Sequence, residues 1–206
     1  MITWAEKYRP NSFTEIKGQD DVIIKIKNFI KSFPESNKKA IILYGPPGTG
    51  KTTLVHLAAI ETNLEIFELN ASDLRNKPQL KETLRPAIEQ KSLLKKGKIF
   101  LIDEADGISG TDRGGVQEIT SLIDESEYPI IITANDAWDK KLSELRKKCE
   151  MIELKELDYR VIKDILVEIL KKEEKFIDNE ILTNIAIKSK GDVRASINDL
   201  QAISEL

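Results

Sequence analysis

One cysteine, Cys149, in 206 residues leaves no partner for a disulfide within the chain. No uninterrupted apolar run approaches the about 20 residues of a membrane-spanning helix. The opening Met1-Ile-Thr-Trp-Ala-Glu-Lys7 has no apolar signal core. An intracellular, reducing compartment is therefore expected, with no membrane among the partners. Positive charge is not in excess either. The 32 Lys and Arg against 35 Asp and Glu leave a net charge of -3, which argues against a protein that coats nucleic acid indiscriminately and leaves a local basic face open. Internal repeats and low-complexity tracts are also missing.

What the chain has is 40% hydrophobic and 33% charged residues, the composition of a globular protein with a richly charged surface. Its length suits one large domain, or a medium domain joined to a small one. The apolar run Ala40-Ile-Ile-Leu-Tyr44 leads into Gly45-Pro46-Pro47-Gly48-Thr49-Gly50, and a helical pattern opens at Lys51. A buried strand, a glycine-rich turn and a helix start are what a phosphate-binding loop requires. Gly45, Gly48 and Gly50 let the backbone curl with its N–H groups inward, while the helix N-terminus adds its positive end. Lys51 should reach the β- and γ-phosphates; Thr52, with Thr53 beside it, offers a hydroxyl to Mg²⁺. The stretch is expected to bind a nucleoside triphosphate, a plain strand-to-helix turn being the bland alternative.

Residues 1–19 read as an irregular arm, with Trp4, Tyr8 and Phe13 spaced around Arg9-Pro10 and Gly18 near its end. From Asp20 to Phe33, the apolar stripe Val22, Ile23, Ile26, Phe29 and Ile30 predicts a helix. Strand-like runs follow at Leu64 to Leu69, Lys98 to Ile102, Pro129 to Thr133 and Cys149 to Leu154. Helical patterns lie between them at about 78–90, with Pro86 expected to kink it, and at about 112–124. Strand alternating with helix predicts an α/β fold, a parallel sheet covered on both faces. After Leu154 the alternation stops. Helical segments at about 158–174, 178–189 and 192–205 predict a small all-α bundle, with Val161, Ile165, Val167, Ile169, Ile181, Ile185, Ile197, Leu200 and Ile203 at helical spacing. The expected division is 1–154 and 155–206.

The run Lys98-Ile-Phe-Leu-Ile-Asp103-Glu104-Ala-Asp106 delivers acids at a strand's carboxyl end, where doubly wound sheets bind ligands. Asp103 is the natural partner of Mg²⁺, and Glu104 can orient or deprotonate an attacking water. Acids that merely end a strand are the alternative. Asn135, closing Thr133-Ala134-Asn135, would lie on the same rim, where its amide could hold that water as donor and acceptor, although asparagine is also a turn former. Asn70 ends the run Glu68-Leu69-Asn70 and could hold Glu104 away from water. Arg194, in Gly191-Asp-Val-Arg194, could come to the phosphates on a helical lid or be a surface arginine. His56 reads as a packed or surface residue and Cys149 as a small buried one at a strand start.

Trp4-Ala-Glu-Lys-Tyr8-Arg9-Pro10, Gly45 to Thr52, Glu68-Leu-Asn-Ala-Ser-Asp73, Asp103-Glu-Ala-Asp106, Thr133-Ala-Asn135 and Gly191-Asp-Val-Arg194 fall in one order. Together they resemble replication factor C, the AAA+ clamp loader, over essentially the whole chain. The resemblance implies a P-loop NTPase sheet of strand order 5-1-4-3-2, a helical lid, adenine lodged near Tyr8, Arg9 and Pro10, ATP and Mg²⁺ as ligands, and work on a sliding clamp and primed DNA. It implies a hetero-oligomer with small subunits and a nucleoid-associated place in the cytoplasm. Where small subunits of that family carry Ser-Arg-Cys, this chain reads Lys147-Lys148-Cys149. Lysine lacks the planar fork of arginine, so the chain looks like the large subunit, in its archaeal form. Family members continue with a helical collar and a clamp-binding tail, so the 206 residues are expected to be a fragment with weak ATPase activity alone.

Two partner surfaces are expected from the same resemblance. Arg75, Lys77 and Arg113 would face DNA, with Lys81 and Arg85 further along the basic stripe; a solvated stripe is the alternative. Ile88, Leu93 and Leu94 would face the clamp, or else belong to the core. Two other functions remain open: another AAA+ remodeller, such as a branch-migration helicase or unfoldase, and a nucleotide-gated binding module with little turnover. No motif suggests the acceptor pocket of a metabolic kinase.

Overall fold

A computed structural model of the chain describes residues 2–71, 95–108 and 113–205. Five parallel strands, β1 (Ala40–Tyr44), β2 (Glu65–Asn70), β3 (Lys98–Asp103), β4 (Ile130–Ala134) and β5 (Cys149–Glu153), pair in the order β2-β3-β4-β1-β5. This is the order the resemblance implied, and strand ends fall within a residue or so of those read from the sequence. The predicted helix at about 78–90 and its Pro86 lie outside the described residues.

The central strands are apolar through their middles, at Ala40 to Leu43, Ile99 to Ile102 and Ile130 to Ile132, because both faces are covered. Ala40 and Ile42 of β1, Phe100 and Ile102 of β3, and Ile130, Ile132 and Ala134 of β4 pack with α4 (Arg113–Glu125) and α5 (Ser143–Lys148). The alternate residues Ile41, Leu43, Ile99, Leu101 and Ile131 pack with α2 (Asp20–Ser32) and α3 (Lys51–Thr62). The short α5 has no apolar period of its own and was not expected. Cys149 is buried at the start of β5, and burial pushes its thiol up to about 12, well out of the reactive range.

Three helices close the chain: α6 (Tyr159–Lys172), α7 (Asn179–Lys188) and α8 (Val193–Ser204). An aspartate precedes each one and caps it. Asp158 accepts from the Arg160 N–H, Asp178 from Glu180 and Asp192 from Ala195. Such caps contribute about 1 kcal/mol each. Ile162, Leu166, Ile169 and Leu170 of α6 meet Leu182 and Ile185 of α7 and Ile197 and Leu200 of α8. The expected stripe holds at Ile169, Ile185, Ile197 and Leu200, and on α6 the buried face also takes in Ile162, Leu166 and Leu170. Val161, Ile165 and Val167 are only half-buried, and Ile181 and Ile203 are exposed; Ile165 lines a cleft between these helices and the sheet. Leu154 belongs to the sheet's apolar cluster and Leu157 to that of the helices.

The arm is less irregular than expected, with one helical turn, α1 (Trp4–Lys7), and a 3-10 turn at Phe13–Glu15. It packs on both layers. Phe13 and Ile16 lie against the α2–α3 side of the sheet, whereas Trp4 is buried among α6, α7 and α8. The Trp4 backbone N–H donates to Gln201 Oε1 at 2.8 Å. Glu173 accepts from Lys7 Nζ at 2.6 Å and from the Tyr8 hydroxyl at 2.5 Å, and those hydrogen bonds hold its carboxyl below the usual range. Replacing a buried tryptophan removes a large apolar area and leaves a cavity. Trp4→Ala should therefore lower unfolding stability by about 3–5 kcal/mol, read as a drop in the urea midpoint of the three-helix unit; an unchanged midpoint would mean that the arm is not part of that core.

Candidate functional site

The strand register brings the functional residues to one edge. Asn70 pairs with Asp103, and Tyr44 with Ala134. Beyond β1 the chain turns through Gly45, Gly48 and Gly50, all with positive φ, into the N-terminus of α3. Gly45 cannot be replaced, since a Cβ there would lie 2.1 Å from the Leu154 carbonyl oxygen. Thr49 closes the loop by donating to the Pro46 carbonyl at 2.8 Å.

Lys51 is 9% exposed, and its ammonium donates to the carbonyls of Gly45 and Pro46 at 2.8 Å each and to Asn135 Oδ1 at 2.9 Å. Burial pulls its pKa below the ordinary lysine value, opposed by the charges of Asp106, Asp103, Asp192 and Glu104. The Thr52 hydroxyl donates to Asp103 at 3.0 Å from Oδ1 and 3.3 Å from Oδ2. Asp103 also accepts from the Thr133 hydroxyl, and the Glu104 N–H donates back to Thr133 Oγ1 at 3.0 Å. Glu104 itself stands in the left-handed region at φ 56 and starts a 3-10 turn. Asn70 Nδ2 is 3.5 Å from Glu104 Oε2, the outer limit of a hydrogen bond.

A cleft of about 1150 Å³ joins these groups to Tyr8, Arg9 and Pro10 of the arm, to Thr53, and to Arg194 of α8. Pro47, Gly48, Thr49 and Gly50 line it, as do Thr52 and Asn135, whereas Gly45, Pro46 and Asn70 do not. Tyr8, Arg9, Pro10, Lys51, Thr52, Asp103, Glu104, Asn135 and Arg194, singled out from scattered motifs, thus share one cleft. Arg75, Lys77, Ile88, Leu93 and Leu94 lie outside the described residues, as does Asp73; Arg113 opens α4.

Several contacts at the site were not anticipated. Asp106 accepts from the Asn135 N–H at 3.1 Å, and its own carbonyl accepts from Lys141. His56 Nε2 lies 2.9 Å from Glu68 Oε2 on the cleft wall. Thr133 ends an inward row of β4 that is otherwise apolar, and that single polar residue was the available signal. The N-terminus of α8 docks on the loop, with the Val193 N–H donating to the Gly48 carbonyl at 3.2 Å. Lys148 is held by both carboxylate oxygens of Asp124, at 2.6 and 2.8 Å, and Lys147 by Glu144 at 2.7 Å.

Residues 41–157 match the model of the ATPase family associated with various cellular activities, AAA. The chain belongs to the AAA family. The replication factor C large subunit of Thermofilum pendens is 45% identical over 208 residues, which is 99% of this chain and 50% of that protein. Those of Sulfolobus acidocaldarius, at 45% over 99% of the chain and 48% of the relative, and Pyrococcus horikoshii, at 43% over 98% and 43%, agree with it. The resemblance read from the motifs is borne out. The chain spans about half the length of these relatives. Among solved structures, a RuvB variant of Thermotoga maritima matches 96% of this AAA chain and 65% of its own, with a TM-score of 0.74 at 22% identity, a likeness of fold.

Gly48 tests the loop geometry. A Cβ there would fall 1.8 Å from Asp192 Oδ1, and its φ of +68 disfavours any side chain. Gly48→Ala should lower the melting temperature and weaken triphosphate binding by about tenfold or more. Adding Asp192→Gly, which keeps a tolerated cap, should recover only the steric part. Full recovery in a calorimetric titration would mean that the left-handed backbone at 48 is not required.

Proposed function

We propose that this AAA chain is the nucleotide-binding part of a clamp-loader large subunit, which binds and hydrolyses ATP with Mg²⁺ to load a sliding clamp onto primer-template DNA. The observation that carries the reading is the convergence of Lys51, Thr52, Asp103, Glu104 and Asn135 within one cleft. Residues 1–154 would form the nucleotide-binding unit, and 155–206 the helical lid that covers it. The similarity to large subunits supports the partners: small subunits in a hetero-oligomer, the clamp, and DNA.

The adenine would rest against Tyr8, Arg9 and Pro10, and the phosphates on the N–H groups of Gly45 to Thr53, including those of Gly48, Thr49 and Gly50. Lys51 would leave the loop carbonyls for the β- and γ-phosphate oxygens, with Arg194 approaching from α8. Thr52 and Asp103 fit Mg²⁺, because they present a hydroxyl and a carboxylate to a hard cation that keeps most of its waters. An ion held by those two residues would supply neutralisation of phosphate charge. Glu104 would take the proton of the attacking water while Asn135 orients that water. Asn70 would restrain Glu104 until a partner shifts β2. Arg75, Lys77 and Arg113 would hold DNA phosphates, and Ile88, Leu93 and Leu94 the clamp.

Lys51→Ala should weaken ATP binding by about a hundredfold or more, because it deletes the phosphate charge. Glu104→Gln should retain affinity and lose about 10²–10⁴ in turnover, the share of a general base. Normal hydrolysis by Glu104→Gln would remove Glu104 from that role. For the partner surfaces, Lys77→Glu with Arg113→Glu should flatten the salt dependence of DNA binding by about one unit of slope per lost contact. Leu93→Ala with Leu94→Ala should weaken clamp binding by a few kcal/mol at unchanged melting temperature. A steep salt slope in the first pair, or a large melting loss in the second, would return those residues to the solvated face and the core.

A further inference from the structure

We infer that the Thr133 hydroxyl is the positioning group that fixes both carboxylates of the β3 end, Asp103 and Glu104, against the strand that presents Asn135. The inference rests on the ATPase reading and adds a residue to it. Thr133 is 1% exposed, one step beyond the last β3–β4 pair, Ile102 with Ile132. Its Oγ1 donates to Asp103 Oδ1 and accepts from the Glu104 N–H at 3.0 Å. A hydroxyl has one proton and free lone pairs, so both bonds form at once and each fixes the direction of the other.

The second bond falls at a strained place. Glu104 has φ 56 and ψ 49, a conformation that a residue with a Cβ adopts only where the surroundings impose it. In a regular strand, consecutive residues point to opposite faces. Here Asp103 and Glu104 line the same cleft, and the left-handed turn at Glu104 is what breaks the alternation. The turn is held from one side by the Gly107 N–H on the Glu104 carbonyl at 2.7 Å, and from the other by Thr133. Removing the hydroxyl frees the Glu104 N–H and leaves Asp103 with Thr52 as its remaining hydroxyl donor, so the water-side and metal-side carboxylates lose their common reference together.

The test compares Thr133→Val, Thr133→Ala and Thr133→Ser with the parent chain. Turnover, ATP affinity, the Mg²⁺ dependence of that affinity and melting temperature are measured for each. Turnover should follow the hydroxyl: within about threefold of the parent in the Ser variant, and about a hundredfold lower in the Val and Ala variants with ATP affinity little changed. In the last two, the Mg²⁺ concentration needed for half-maximal affinity should rise. Turnover that follows melting temperature across the four proteins, or a Val variant within threefold of the parent, overturns the positioning role. A parent no faster than Lys51→Ala overturns the ATPase reading instead, and the role with it.

Discussion

The carboxylate of Asp103 accepts a hydroxyl proton from Thr52 at the start of α3 and another from Thr133 on β4. That one acceptor joins three segments separated by 51 and 30 residues in sequence. It can do so only because β3, β4 and β1 lie side by side and parallel, with their carboxyl ends level. A slip of one residue along β3 would turn Asp103 to the other face of the sheet. The strict apolar filling of both faces is therefore what sets the position of a polar contact at the edge.

The electrostatics of the cleft follow from the same crowding. One buried ammonium, that of Lys51, feels the charges of Asp103, Glu104, Asp106 and Asp192. Such a neighbourhood is poorly disposed to a triphosphate on charge alone. Favourable binding needs cations brought with the ligand or contributed by other elements, and the neutral N–H groups of the loop must supply the rest. A nucleotide arriving with Mg²⁺ meets that condition better than a bare one.

Much of this was legible in the sequence for identifiable reasons. Unbroken apolar runs marked β1, β3 and β4 because both sheet faces are buried, and the glycines between Tyr44 and Lys51 announced the loop because residues with a Cβ adopt such backbone angles only at a cost. The short α5 and the 3-10 turns carried no period long enough to read. The stripe of α6 reads imperfectly because two of its apolar residues, Ile165 and Ile169, line a cleft, which periodicity cannot distinguish from a core. Thr133, Asp106 and Asp192 carry no role readable from their motifs because their importance lies in residues distant in the chain: hydrogen bonds to Asp103 and Asn135 for the first two, and close approach to Gly48 for the third. Identity and spacing alone do not show those bonds.

The burial of Trp4 among the last three helices, with its backbone bonded to Gln201 across 197 residues, also orders events during synthesis. The arm leaves the ribosome before α8, yet its binding place does not exist until α8 has emerged. Until then the α/β layer can condense on its own local contacts, while Trp4 stays exposed to solvent. Closing so long a loop is the entropically costly, slow kind of contact. The arm's docking is thus a late folding event, and the part of the cleft lined by Tyr8, Arg9 and Pro10 is completed only after the part lined by the loop beyond β1.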